Sequence, residues 1–173
     1  MAQIKNPFGI SEKLQGLICK MGQNQVFEDG EDLFLELKGI TVSGKQIQRV
    51  SEYHGQRIEE EQEVSIKAGA PAPMLENKDD TIYVMVDGSM VYTREERWKE
   101  MKVGRIFSDK DCIAIQKNRK EIMNNFYVCH LGEHHKFFSK LEYYADSYKK
   151  KVCIADGAKW IWKWASEMYP EML

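Results

Sequence analysis

The chain contains no apolar run long enough to cross a membrane, because none of its stretches approaches about 18 consecutive apolar residues. Its amino-terminal segment also lacks the apolar core of a signal peptide, so we expect a cytoplasmic protein that makes no membrane contact. Net charge is small, since 25 Lys and Arg against 27 Asp and Glu give −2. No global charge excess therefore indicates nucleic-acid binding, and such a function must depend on local clusters.

Cysteine is scarce and scattered. The four cysteines form no C-x-x-C pair; they are Cys19, Cys112, Cys129 and Cys153. This spacing disfavours a zinc site or a disulfide framework, and we interpret the four as reduced, buried thiols. The histidines at 130–135 lack the second pair of ligands that a zinc site would need.

Residues 1–63 carry helix signals. Ser11 can cap a first helix that Gly22 would end, and an acidic start followed by Lys38-Gly39 marks a second helix. Ser43, with Gln46 three residues later, forms a capping box that opens a third helix.

Three short helices with a tight turn before the last resemble a helix-turn-helix. The polar face of the third helix then supplies the predicted DNA contacts of this segment, which are Lys45, Gln46, Gln48 and Arg49. A small helical bundle with a solvated polar face is the alternative interpretation.

Residues 64–80 contain two prolines and several charges, which is typical of an extended linker. Residues 81–173 alternate strand and helix patterns in the order of two hairpin strands, a polar excursion at 108–124, a third strand, a helix from about 134 to 150, a fourth strand and a helix. This order predicts an α/β fold in which the first and fourth strands can be neighbours.

Two strand patterns stop at Asp-Gly. The run at 82–86 leads into Asp87, and the run at 152–155 leads into Asp156. If the two strands are neighbours, the carboxylates meet and offer the oxygen ligands that Mg²⁺ or Mn²⁺ prefers. The competing interpretation is a pair of ordinary turns, because Asp-Gly is a common turn dipeptide.

A basic stretch follows the first of these aspartates. Residues 94–120 hold nine basic side chains against five acidic ones. Lys99, Lys102 and Arg105 are the members predicted to track a phosphate backbone, and a solvated, charged hairpin is the alternative. The tryptophans between 160 and 164 are assigned to helix packing rather than to base stacking.

Three strings together resemble one protein family. They are Val-Asp-Gly-Ser-Met-Val at 86–91, Arg-Trp-Lys-Glu-Met-Lys-Val-Gly-Arg-Ile-Phe at 97–107, and Ile-Ala-Asp-Gly-Ala-Lys-Trp-Ile-Trp at 154–162. The strings resemble those of the transposases of bacterial insertion sequences, in the group distantly related to Mutator-type eukaryotic transposases.

The resemblance implies an RNase H-like core with an Asp-Asp-Glu triad. Asp87 and Asp156 match the first two acids, and both would be catalytic residues and metal ligands. Neither Glu167 nor Glu171 matches the third acid, so the RNase H-like domain is expected to be incomplete at residues 81–173. The implied cofactor is Mg²⁺ or Mn²⁺.

The implied activity is cleavage of DNA ends by metal-assisted hydrolysis, followed by transesterification that joins a 3′-hydroxyl to target DNA. The implied partners are terminal-repeat and target DNA, with self-association as an open option. One alternative is a non-catalytic fragment that occupies the element ends by binding DNA. Another is a metal-dependent nuclease that uses two carboxylates.

Overall fold

The computed structural model describes residues 7–73 and 78–172. The chain divides into two compact units, Met1–Val64 and Ser65–Leu173. Together the elements confirm the predicted mixed α/β class. Among the described residues, no helix combines the length and apolar character that a membrane crossing requires.

The first unit is built from helices. Their bounds are α1 Glu12–Asn24, α2 Phe27–Lys38 and α3 Gly44–Lys67, the last of which continues past the boundary between the units. Their apolar faces meet in a small core made of Ile18, Phe34, Val42, Ile47 and Val50.

The predicted helix starts are confirmed by their hydrogen bonds. Ser11 Oγ accepts from Leu14 N at 3.3 Å, and Ser43 Oγ accepts from Gln46 N at 3.2 Å. At the other end of α2, Gly39 adopts the left-handed conformation with φ 63°, which is the usual glycine cap.

Two predicted boundaries in this unit are wrong. Gly22 does not end α1, which continues to Asn24; a Cβ at Gly22 would overlap the Ser51 hydroxyl, so the glycine allows close packing. Helix α3 runs to Lys67, past the predicted end at 63 and into the segment assigned to a linker. The acidic run at 59–61 supports this helix, because Arg57 lies 3.1 Å from Glu61 one turn later.

The second unit is a four-stranded sheet with two helices and a small ribbon. The strands are β1 Thr81–Thr93, β2 Arg97–Ser108, β3 Cys112–Gln116, β4 Arg119–Ile122, β5 Phe126–Leu131 and β6 Lys150–Ala155. The helices are α4 His134–Ala145 and α5 Lys159–Met168.

The main sheet has the strand order β5-β2-β1-β6. Strand β2 pairs antiparallel with both β1 and β5, whereas β6 pairs parallel with β1. The predicted neighbourhood of the first and fourth strands is therefore confirmed.

One face of the sheet is covered by α4 and α5. Alternate residues of β1, namely Ile82, Val84 and Val86, point into this core, as the strand period of two requires. Helix side chains led by Phe137 and Leu141 fill the other side, and a Cβ at Gly104 would lie 2.6 Å from Leu141 Cδ1.

Two stretches of this unit differ from prediction. Helix α4 was expected to reach Lys150 but ends at Ala145, because β6 already begins at Lys150. The segment 108–124, predicted as a polar excursion, holds a 3-10 turn at Asp109–Asp111 and the β3–β4 ribbon. Nearly every residue of that ribbon is exposed, so it lacks the alternating apolar pattern that would mark its strands.

Candidate metal centre on the open face of the sheet

Asp87 and Asp156 lie beside each other on two adjacent strands. The predicted stop at Asp87-Gly88 is wrong, because β1 continues to Thr93 and Asp87 lies within it opposite Val103, whereas Asp156 directly follows the end of β6. Val86 pairs with Ala155 in the parallel β1–β6 register, so each aspartate is the next residue on its own strand. Neighbouring strands are separated by about 4.8 Å. Both side chains are exposed, and both line one depression of about 530 Å³ on the face opposite α4 and α5. We call this surface the open face.

Each carboxylate has one oxygen held by the backbone. Asp87 Oδ1 accepts from Gly88 N at 2.8 Å, and Asp156 Oδ1 accepts from Ala158 N at 2.9 Å. The indole of Trp162 also donates to the Asp156 carbonyl oxygen at 2.6 Å. The Asp156 bond belongs to the segment between β6 and α5, whereas Asp87 bonds the next residue of the same strand, so Asp87 does not lie in a turn. Both bonds constrain the orientation of the carboxylates.

Neither carboxylate forms an ion pair with a described residue. Two anionic groups on adjacent strands without a cation repel each other, and a divalent cation would relieve that repulsion. Asp87 and Asp156 therefore have the chemistry of hard-metal ligands.

The described part of the chain supplies only two such ligands. Within residues 7–73 and 78–172, no three His, Cys, Asp or Glu side chains form a group suited to a metal ion. Glu167 faces Lys163 at 3.9 Å on α5, and Glu171 lines a different depression, so neither joins the aspartates.

The prediction that Lys102 contacts DNA is wrong. Its side chain is 1% exposed and points to the helix-covered face, where Nζ lies 2.7 Å from Glu100 Oε2. The same ammonium donates to the Gly132 carbonyl and stands 5.4 Å from the centre of the Trp160 ring. A side chain enclosed in this way does not reach a phosphate backbone.

The other two predicted DNA contacts on β2 are accessible to different degrees. Lys99 is half-buried and forms an ion pair with Glu96. Arg105 lies on the open face and lines the same depression as the two aspartates. Only Arg105 is therefore near the candidate metal centre.

The four predicted contacts of the helical unit lie along the start of α3. Lys45, Gln48 and Arg49 are exposed, whereas Gln46 is half-buried and donates its backbone N–H to Ser43 Oγ. Gln48 also donates to Glu52 at 2.7 Å. Lys45 and Arg49 are four residues apart, so they share one face of the helix.

The aromatic and histidine residues near α5 have packing roles. His134 stacks on Trp160 with ring centres 5.6 Å apart, and Trp164 stacks on Phe138 at 4.6 Å. These contacts agree with the assignment of Trp160 and Trp164 to helix packing, whereas Trp162 is 43% exposed and the assignment is wrong for it.

Cys129 lies across from Val103 in the β2–β5 register, near the depression. The four cysteines are free thiols as predicted, but the predicted burial is wrong for Cys129, which is exposed, and holds fully only for Cys153. Partial burial raises the pKa of the Cys129 thiol, and the charge of Lys140 opposes this increase. The thiol is therefore protonated at neutral pH, which makes it a poor metal ligand.

Sequence reasoning missed Tyr127, which pairs with Arg105 across β2 and β5 and also lines the depression. The signal was available only through strand register, because nothing near Tyr127 in the sequence distinguishes it from a core aromatic residue.

Comparison with known proteins gives no family assignment. Neither the models of known protein families nor the curated proteins match this chain. The resemblance to insertion-sequence transposases stays a prediction.

Proposed function

We propose that the chain is part of an insertion-sequence transposase that performs metal-dependent phosphodiester chemistry on DNA. The observation that carries the proposal is the parallel β1–β6 pairing, which brings Asp87 and Asp156 beside each other on the open face of the sheet. The two aspartates are the residues that the resemblance assigns as the first two acids of the triad.

The topology of the second unit supports an RNase H-like core. Three strands pair antiparallel, and the fourth joins β1 in parallel after the connection through α4. The resemblance implies an RNase H-like sheet with the first acid on the first strand and the second acid after the fourth strand, which are the places of Asp87 on β1 and Asp156 after β6.

Asp87 and Asp156 would hold the metal, and their backbone hydrogen bonds would orient them toward it. A bound Mg²⁺ or Mn²⁺ would supply Lewis-acid stabilisation of a phosphodiester. Gly88 and Gly157 follow the two acids, and no described atom lies within 4 Å of a Cβ built at Gly157. The edge of the sheet therefore leaves room for a DNA backbone beside Asp156.

The proposal predicts that Asp87→Asn and Asp156→Asn each weaken Mn²⁺ binding by at least about tenfold, or about 1.4 kcal/mol. Each change removes a charged ligand and keeps the size of the side chain. Titration calorimetry and the electron paramagnetic resonance signal of free Mn²⁺ would measure the affinity. Glu95→Gln is the matched control, because Glu95 is an exposed carboxylate in the β1–β2 turn. Equal affinity in all three variants would contradict the assignment.

A second candidate function is DNA binding without catalysis, favoured by the exposed Lys45 and Arg49 on one face of α3. The variant Lys45→Ala/Arg49→Ala should weaken duplex binding and reduce the salt slope by about 0.9 for each lost phosphate contact. Fluorescence anisotropy at several salt concentrations would measure both effects. The control is Lys13→Ala/Lys20→Ala on α1, and an equal loss there would indicate general charge attraction only.

A further inference from the structure

One row of side chains crosses all four strands of the open face. Ile154 pairs with Met85, Met85 pairs with Arg105, and Arg105 pairs with Tyr127. Ile154 is 41% exposed, Met85 36% and Tyr127 55%, so the row presents an apolar and aromatic surface with one cation within it. All four residues line the depression that also holds the two aspartates.

Arg105 is held between two aromatic rings. Its Cζ lies 5.3 Å from the centre of the Tyr127 ring and 5.7 Å from the centre of the Phe107 ring. Its Nε is buried and has no hydrogen-bond acceptor among the described residues, and no described carboxylate pairs with the guanidinium. A guanidinium oriented by aromatic rings and lacking an anion is suited to bind a phosphate.

We propose that the open face binds an unpaired nucleotide of the DNA substrate, with its base against Tyr127 and the apolar row and its phosphate on Arg105. This inference rests on the proposed function and names a subsite for it. Val103 pairs with Asp87 and lies two residues from Arg105, which corresponds to about 7 Å along the strand. A nucleotide in this subsite has a phosphate next to the candidate metal centre.

The character of the row favours a nucleotide over an apolar protein segment. A purely apolar occupant would bury the Arg105 guanidinium without an anion, which is costly. A paired base also keeps its faces stacked within the duplex, so only an unpaired base can lie on Tyr127.

The charges of the site make the expected binding dependent on a divalent cation. Asp87 and Asp156 repel a nearby phosphate when no cation neutralises them. Replacing both carboxylates by amides removes the repulsion together with the metal ligands. The variant Asp87→Asn/Asp156→Asn should therefore bind the nucleotide to an extent that no longer depends on the cation.

The test uses the full chain and fluorescein-labelled decathymidylate, with a hairpin duplex of the same length for comparison, in Ca²⁺ and in EDTA. Arg105→Met should weaken binding of the single strand about tenfold and lower its salt slope by about 0.7. Tyr127→Leu should weaken binding about tenfold without a change in slope, because it removes base stacking only. Arg119→Met and Tyr92→Leu are the matched controls, since both residues are exposed on hairpins away from the depression, and both should bind as the unchanged chain does.

Three results would overturn the inference. One is an equal loss of affinity in Arg105→Met and Arg119→Met, and another is duplex binding that is as strong as single-strand binding and equally sensitive to Tyr127→Leu. The third is a dimer that Ile154→Glu dissociates, with no binding of decathymidylate, since a second copy would then cover the open face. Mn²⁺ titration of the Arg105→Met and Tyr127→Leu variants separates this inference from the proposed function. Retained Mn²⁺ affinity with unchanged oligonucleotide binding refutes the nucleotide subsite alone.

Discussion

Glu100→Ala should lower the free energy of unfolding of the α/β unit by about 3 kcal/mol, because it leaves the Lys102 ammonium buried without its carboxylate. The Gly132 carbonyl and the Trp160 ring remain near Nζ, but neither carries a full negative charge. Urea denaturation followed by tryptophan fluorescence would measure the change.

The opposite truncation should be milder. Lys102→Met removes the buried charge and keeps a long apolar side chain, while the half-buried Glu100 can still contact water. We expect a cost of about 1 kcal/mol, mainly from the lost hydrogen bond to Gly132. Combining Glu100→Ala with Lys102→Met should cost little more than Lys102→Met alone. Equal losses from the two single changes would show that the buried charge does not set the energetics of this pair.

Phe137→Ala should destabilise the same unit by about 3–5 kcal/mol, the usual cost of emptying a fully buried aromatic position. Phe137 is 0% exposed, and its ring lies 5.5 Å from the Phe138 ring and 6.2 Å from the Trp160 ring between centres. Its Cζ also lies 3.2 Å from the position of a Cβ built at Gly104, so it packs directly on β2. Thermal and urea unfolding would both report the loss.

Trp98→Ala is the matched control for this prediction. Trp98 is 64% exposed on β2, and its nearest ring partner is Tyr92 at 5.5 Å between centres. Removal of an exposed aromatic side chain should change the unfolding free energy by no more than about 0.5 kcal/mol. A cost as large as that of Phe137→Ala would mean that the core under α4 is not the main source of stability.

The sequence predicted those features of the fold that have local causes. Helix starts at Ser11 and Ser43 follow from side-chain caps, and the run of β-formers at 82–86 marks a strand, although its continuous apolar character gives no sign that only one of its faces is buried. The order of strands and helices then restricts the topology enough to place Asp87 beside Asp156. Both aspartates of the candidate site could therefore be predicted without coordinates.

The remaining features depend on tertiary context. The sequence gives no sign that Lys102 is buried. Its partners Glu100, Gly132 and Trp160 lie in three separate parts of the chain, which only the folded structure brings together. The subsite around Arg105 and Tyr127 depends on the β2–β5 register, which the intervening β3–β4 ribbon conceals. The extension of α3 to Lys67 was missed because the prolines and charges of 64–80 resemble a linker, although the helix continues over the first residues of that segment.

The parallel pairing of β1 with β6 also has a consequence for the order in which the sheet forms. Strands β1 and β2 are joined by a short turn, whereas Thr81 pairs with Lys150, 69 positions further along the chain (150 minus 81). Closing the longer loop costs more conformational entropy, so the local hairpin is favoured to form before β6 docks. Asp87 therefore belongs to a part of the sheet that assembles locally, and Asp156 reaches it only through the most distant strand pairing. Local opening at β6 would separate the two carboxylates while leaving the hairpin intact.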